Sequence, residues 1–93
     1  MTNMLICDFN FGEKYAKVYV VKNNIVTEVY DNIEQAPDTF IPAMFKIAAA
    51  TGCYDVRFNG ATDFAEYYIQ QAQKYAVQNY SDTPNWTFTL MKR

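Results

Sequence analysis

The amino-acid sequence predicts an α/β domain in which a five-stranded mixed sheet, in the order 3-2-1-4-5, carries both of its helices on one face. The first observation is the order of the apolar segments: three short segments with strand patterns, then helix, strand, helix and strand. The second is the handedness of crossovers between parallel strands, which is almost always right-handed. Both helices carry the chain across the sheet in the same direction, so they lie on the same side. The 93 residues are expected to form a single domain, 1–93, long enough to bury a core.

Three β-patterned segments open the chain. Residues 4–9 form an apolar run broken by one acidic side chain, which is typical of a strand covered on at least one face. Residues 15–22 alternate between apolar and other side chains, which indicates a half-buried strand. Asn23 and Asn24 follow as a two-residue hairpin turn, because asparagine tolerates positive φ, and residues 25–30 return as the third strand.

The first helix follows a connector over residues 31–38. Asp38 or Thr39 is expected to cap this helix, because short polar side chains accept hydrogen bonds from its first amides. With Thr39 as the cap, Pro42 falls in the first turn, where a backbone N–H has no partner to lose. Gly52 is expected to end the helix in a left-handed conformation.

The second half of the chain repeats the strand–helix order. Residues 54–59 alternate as a fourth strand, and Thr62 is expected to cap a helix over residues 63–79, whose apolar side chains recur at helical spacing. A loop containing Pro84 then leads to a closing strand at residues 86–91. Trp86 is expected to point inward on that strand.

Composition excludes several classes of function. The chain has no histidine, which removes Ser–His and Cys–His nucleophile pairs and nearly all zinc sites. Its eight basic and ten acidic residues are interspersed, so it lacks the basic block that binds phosphate, and the sequence argues against nucleic acid as a partner. No apolar stretch approaches the roughly 20 residues that span a bilayer, so no membrane contact is expected.

The expected location is cytoplasmic. The N-terminus lacks the basic and then apolar character of a signal peptide. Cys7 and Cys53 lie inside or beside apolar runs, which predicts two buried thiols that stay reduced.

The start of the chain resembles the ribonuclease H-like core, which actin-like ATPases and many nucleases share. The resemblance rests on the order of the elements and on segment 5–12 (LICDFNFG), an Asp ending strand one and a Gly before the strand KVYVV at 17–21. It covers most of the chain and is topological. In nucleases of this kind, an Asp on strand one and further carboxylates hold two Mg²⁺ ions, and Asp8 matches that first position. An actin-like ATPase needs a second such domain, for which this chain is too short.

A candidate metal site lies where strands one and four end. Because parallel neighbours bring their carboxyl ends together, Asp8, Asn59 and Asp63 are expected near one another, and they could hold a single Mg²⁺. Asn59 stands where such nucleases often carry an acid, which leaves little charge for two metals. The other interpretation is structural: Asp8 accepts backbone N–H bonds, and Thr62 and Asp63 cap the second helix. The sequence favours this second interpretation, because caps are commoner than sites.

The sheet face opposite the helices is the second candidate. Side chains that alternate away from the predicted core are expected there, and they are Tyr15, Lys17, Tyr19, Asp55, Arg57, Thr87 and Thr89. They suit an ordinary solvated sheet, and they also suit a protein contact, since Tyr and Arg are enriched at interfaces.

The expected function is therefore a small non-catalytic protein-binding module without a cofactor. Homodimerisation through the open sheet face is the simplest contact, and an accessory protein of a phage or mobile element fits this size. Two alternatives stay open: a minimal Mg²⁺-dependent nuclease or phosphodiesterase, and an inhibitor that covers the nucleic-acid site of another protein.

Overall fold

The computed structural model describes residues 3–10, 12–82 and 85–91. Their elements follow the predicted order, and Pro84 of the predicted loop lies outside the described residues. The strands are β1 (Asn3–Asp8), β2 (Tyr15–Lys22), β3 (Ile25–Glu34), β4 (Asp55–Asn59) and β5 (Thr87–Leu90), and the helices are α1 (Pro37–Thr51) and α2 (Thr62–Asn79).

The strands form one mixed sheet in the order β3-β2-β1-β4-β5. β2 pairs antiparallel with both β1 and β3, while β4 pairs parallel with both β1 and β5. The predicted fold class is confirmed, including the strand order. β3 and β5 are the two edges of the sheet, and β3 carries acidic side chains at Glu28, Asp31 and Glu34 but no Lys or Arg.

Both helices pack against the same face of the sheet and share one core with it. The sheet contributes buried side chains that alternate along its three central strands: Leu5, Cys7, Ala16, Val18, Val20, Val56 and Phe58. The helices contribute Phe40, Ile41, Met44, Phe45 and Ala48 from α1 and Ala65, Tyr68, Ala72 and Ala76 from α2. Burying each of the larger apolar side chains stabilises the fold by about 1.5–3 kcal/mol. Trp86, Phe88 and Leu90 pack against this core, as the alternation of β5 predicts.

Two turn signals in the sequence are confirmed. Asn23 and Asn24 both have positive φ, 55° and 64°, the backbone that joins β2 to β3 in a tight hairpin. Gly52 has a φ of 71° and its N–H bonds the carbonyl of Ala48, which closes α1 as expected.

Several element boundaries differ from the prediction, and those of β1, β4 and β5 do so by one residue. β3 continues through the expected connector to Glu34, because Ile33 pairs with Ala16 and packs against the core. α1 begins at Pro37, whose fixed φ and missing N–H suit the first helical position. Neither Asp38 nor Thr39 is therefore its cap, and Pro42 lies inside the helix, where its ring nitrogen cannot donate to the preceding turn.

The second helix also starts one residue early. Thr62 is its first residue and not its cap, since Ala61 occupies the N-cap position and its carbonyl accepts from the N–H of Ala65 at 2.9 Å. Asp63 lies in the first turn, where its charge favours the helix dipole.

Cys7 and Cys53 are both buried, as predicted, and neither forms a disulfide. Burial raises the pKa of the Cys7 thiol. Among the residues that the structure describes, no helix is long and apolar enough to cross a membrane.

Candidate protein-interaction face

The sheet face opposite the helices, called the open face below, is ordered by the register of the strands. Side chains of paired residues point to the same side of a sheet, so the pairing lays them out in rows across it. The two long rows are Val26–Val21–Met4–Asp55–Thr87 and Val29–Tyr19–Ile6–Arg57–Thr89. A shorter row, Lys17–Asp8–Asn59, follows at the carboxyl end of β1. In the described part of the chain, no helix packs on this face.

The open face divides into an apolar half and a polar half. The apolar half lies over β3, β2 and β1, and its members are Met4, Ile6, Tyr19, Val21, Val26 and Val29. The polar half lies over β4 and β5 with Asp55, Arg57, Thr87 and Thr89. Val26 and Val29 are about half exposed, at 52% and 51%, although both are aliphatic.

The prediction from sequence lacks the aliphatic members of this face, which are Met4, Ile6, Val21, Val26 and Val29. Met4 and Ile6 matter most among them. The apolar run 4–9 predicts a strand but not how many of its faces are covered, so it does not assign Met4 and Ile6 to a face. They lie at its centre, because β1 is the middle strand of the sheet. Both are only partly buried. An uncovered sheet face with aliphatic side chains at its centre is typical of a surface that another molecule covers.

Charges on the open face are balanced within the chain. Arg57 donates to the Asp55 carboxylate at 3.2 Å, and Lys17 lies opposite Asp8 in the antiparallel pair. Glu34 lies on the same face, because it pairs with Tyr15 across β2 and β3, and Lys14 Nζ lies 3.7 Å from its carboxylate. Each of these three acidic side chains is therefore matched by a basic one. All seven residues that the sequence assigned to this face are placed there by the alternation of their strands.

The predicted metal ligands are placed on two sides of the sheet. Asn59 donates its side-chain N–H to the carboxylate of Asp8 at 3.0 Å, at the edge of the open face. Asp63 lies in the first turn of α2 and lines a cleft on the helix side. Within the described ranges, no group of three or more His, Cys, Asp or Glu side chains is arranged to hold a metal ion. Among the described residues, the Asp8 carboxylate accepts from the Asn59 side chain and from no backbone N–H.

Gln35 is a second residue that sequence reasoning missed. It follows β3, and its side chain donates to the carbonyl of Glu13 at 2.8 Å and accepts from the N–H of Asn10 at 3.2 Å. Its backbone N–H bonds the carbonyl of Lys14 at 2.9 Å, and its carbonyl accepts from the hydroxyl of Tyr68. Gln35 therefore ties the β1–β2 loop to α2. A lone Gln in a polar segment gives no sequence signal for such a role.

Comparison of this chain with protein-family models, with curated proteins and with solved structures finds no match. The ribonuclease H-like resemblance therefore stays a prediction that rests on the order of the elements and on segment 5–12.

Proposed function

We propose that this chain is a small non-catalytic protein-binding module that associates with a second copy of itself through its open face. The observation that supports this most is the aliphatic surface that Met4, Ile6 and Val29 expose on a sheet face that the helices leave bare. Removing such aliphatic surface from water favours association by about 25 cal/mol per Å².

The charge distribution favours a second copy as the occupant. A face with a net charge repels an identical face, because the same sign meets itself across a two-fold axis. Here Lys17 and Arg57 are matched by Asp8 and Asp55. The open face can therefore approach its own copy without a long-range electrostatic cost.

The area of the open face sets the strength of the contact. Five strands about 4.8 Å apart and about 18 Å long give roughly 430 Å² of flat surface per copy. Two copies therefore bury about 860 Å² of flat surface in total, which is below the standard size of a stable interface and within the range of weak, transient contacts. We therefore expect a dimer that forms at micromolar concentration and dissociates on dilution.

The division of the face into halves selects the direction of the two-fold axis. An axis running across the strands, between the two long rows, places the apolar half on its own copy, so that Tyr19 lies over Val21 of the second copy and Arg57 lies over Asp55. An axis running along the strands places the apolar half on the polar half, with Tyr19 over Arg57. Apolar surface is buried against apolar surface only in the first arrangement, which we therefore propose.

Sedimentation equilibrium between about 1 and 500 μM tests the association, a range that brackets weak interfaces. Val29→Asp and Tyr19→Asp place a charge in the apolar half, and both are expected to shift the chain to a monomer. Val77→Asp is the matched control, because Val77 is an aliphatic side chain 75% exposed on α2, away from the open face. It is expected to leave the dimer unchanged. Circular dichroism checks that each variant is folded.

A monomeric wild-type chain over the whole concentration range contradicts the proposal. The same is true of dissociation by Val77→Asp to the extent seen for Val29→Asp. The axis is tested separately with Val29→Cys and a bis-maleimide reagent about 10 Å long, close to the spacing of stacked sheets. Efficient cross-linking is expected for the proposed axis, which places β3 over β3. None is expected if Val29 lies over Thr89, because the two Val29 positions are then four strand spacings, about 19 Å, apart along the sheet.

A further inference from the structure

A cleft with aromatic walls opens beside the first turn of α2. It lies at the carboxyl ends of β1 and β4, has a volume of about 590 Å³, and is lined by Phe9, Asn10, Gln35, Asp63, Phe64 and Tyr67. Its volume falls within the range of small-molecule sites. In open α/β sheets, ligands bind outside the carboxyl ends of neighbouring strands whose connections leave in different directions, as those of β1 and β4 do. The cleft lies apart from the open face.

The aromatic wall is exposed but held in place. Phe64 is 41% and Tyr67 49% exposed, although both are large rings. Phe64 contacts the buried ring of Phe9, with 5.4 Å between ring centroids, and Phe9 contacts Tyr68 at 4.6 Å in the core. Tyr67 packs edge-on against Tyr68, with 6.0 Å between ring centroids. Since these contacts hold both rings before any ligand arrives, a flat aromatic group can stack there at a low entropic cost.

The rim of the cleft is also preformed. The Gln35 side chain lies on the rim and is fixed by its hydrogen bonds to Asn10 and Glu13. The turn at Gly12 has a φ of 82°, a backbone that suits glycine, and it lies at the same rim. The rim of the cleft therefore has its conformation fixed by the β1–β2 loop and β3 before a ligand binds.

Electrostatics selects the charge of the ligand. Asp63 contributes a full negative charge, whereas the N-terminus of a helix contributes about half of a positive one. Among the described residues that line the cleft there is no Lys or Arg. The net charge at the cleft is therefore negative, which disfavours the binding of phosphates and carboxylates. A cation is also attracted to the faces of exposed aromatic rings.

We infer that this cleft binds an arylalkylamine, a flat aromatic group that carries an alkylammonium group; the ring stacks against Phe64 and Tyr67, and the ammonium group pairs with the carboxylate of Asp63. The inference is independent of the dimer, because none of these residues lies on the open face.

Tryptamine and indole-3-acetate are matched probes, since they share one ring and differ in the sign of their charge. Titration followed by ¹⁵N NMR is expected to give a dissociation constant of about 1–5 mM for tryptamine, typical of a ligand this small. Shifted amides are expected at Asn10, Gly12, Asp63 and Tyr67. Indole-3-acetate is expected to bind at least about 10-fold more weakly, which corresponds to about 1.4 kcal/mol.

Two variants test separately the contribution of the Asp63 charge and that of the Phe64 ring to binding. Asp63→Asn is expected to weaken tryptamine about 5-fold, the upper end for a pair that water can reach. Phe64→Leu is expected to weaken both probes about equally. Glu66→Gln is the control, because it removes one exposed acidic charge from α2 outside the cleft and is expected to change the affinity by less than about 2-fold.

Equal binding of the two probes to the wild-type chain overturns the inference. So does the absence of shifts at the cleft up to 10 mM tryptamine, about twice the weakest expected constant. A loss of affinity in Glu66→Gln as large as that in Asp63→Asn overturns it as well, because the selection of charge is then not local.

Discussion

The hydrogen bonds that link the Gln35 side chain, at the end of β3, to the β1–β2 loop predict a measurable loss of stability in Gln35→Ala. This change removes the two side-chain hydrogen bonds, to Asn10 at 3.2 Å and to Glu13 at 2.8 Å. The backbone bonds of Gln35 to Lys14 and Tyr68 stay. The substitution therefore isolates the side chain.

The size of the loss follows from the exposure of these bonds. A hydrogen bond contributes about 0.5–1.5 kcal/mol net, and both of these lie at the surface, where water can replace the lost partner. We therefore expect the free energy of unfolding to fall by about 1–2 kcal/mol. For a chain of this size, each kcal/mol lowers Tm by about 4–8 °C.

Urea unfolding followed by circular dichroism measures this free energy, with calorimetry for Tm. Gln70→Ala is the matched control, since Gln70 is an exposed glutamine on α2 outside the cleft, and it is expected to change the free energy by less than about 0.5 kcal/mol. Hydrogen exchange at Gly12 and Glu13 is expected to accelerate in Gln35→Ala only. If Gln35→Ala is as stable as Gln70→Ala, the two side-chain hydrogen bonds of Gln35 do not stabilise the fold.

Two further predictions concern a buried hydroxyl and a tight turn. Burial raises the pKa of Tyr68 to about 12, whereas an unfolded tyrosine ionises near pH 10, so the free energy of unfolding is expected to fall as pH rises from about 10 to 12. In urea titrations, Tyr68→Phe is expected to lose that part of the pH dependence. An unchanged pH profile in Tyr68→Phe refutes the assignment to this hydroxyl. Asn24 has a φ of 64°, a backbone that glycine adopts readily and alanine does not. Urea unfolding is therefore expected to show a free energy of unfolding higher by a few tenths of a kcal/mol in Asn24→Gly and lower by about 1 kcal/mol in Asn24→Ala. The reverse order contradicts the positive-φ turn.

The parts of the fold that could be predicted are those where one strong local signal acts alone. The alternation over 15–22 gives the bounds of β2, and Gly52 ends α1 because few other residues adopt its left-handed backbone. The failures occur where two signals compete. Asp31 and Asn32 favour a turn, yet pairing with β2 extends β3 through them. Thr62 is a good cap in isolation, yet the chain enters the helix at Ala61.

The candidate site was predicted only in part, for a different reason. Local sequence indicates which side chains alternate but not which face of a sheet is covered, since that depends on where both crossovers return. Alternation therefore assigns Tyr19 and Arg57 to the open face. Met4 and Ile6 belong to a continuous apolar run, which does not alternate and so does not indicate a face. The partners of Gln35 lie more than twenty residues away in the chain, beyond the reach of any local pattern.

The acidic side chains of β3 decide how far assembly of this chain can proceed. If two copies joined their β3 strands edge to edge, Glu28, Asp31 and Glu34 of each copy would share one ladder, and like charges opposite one another destabilise such pairs. Charged edges are a common protection against unlimited strand addition. If the chain associates through its open face as proposed, that contact is complete with two copies, and these carboxylates then favour a finite particle over an open-ended fibre.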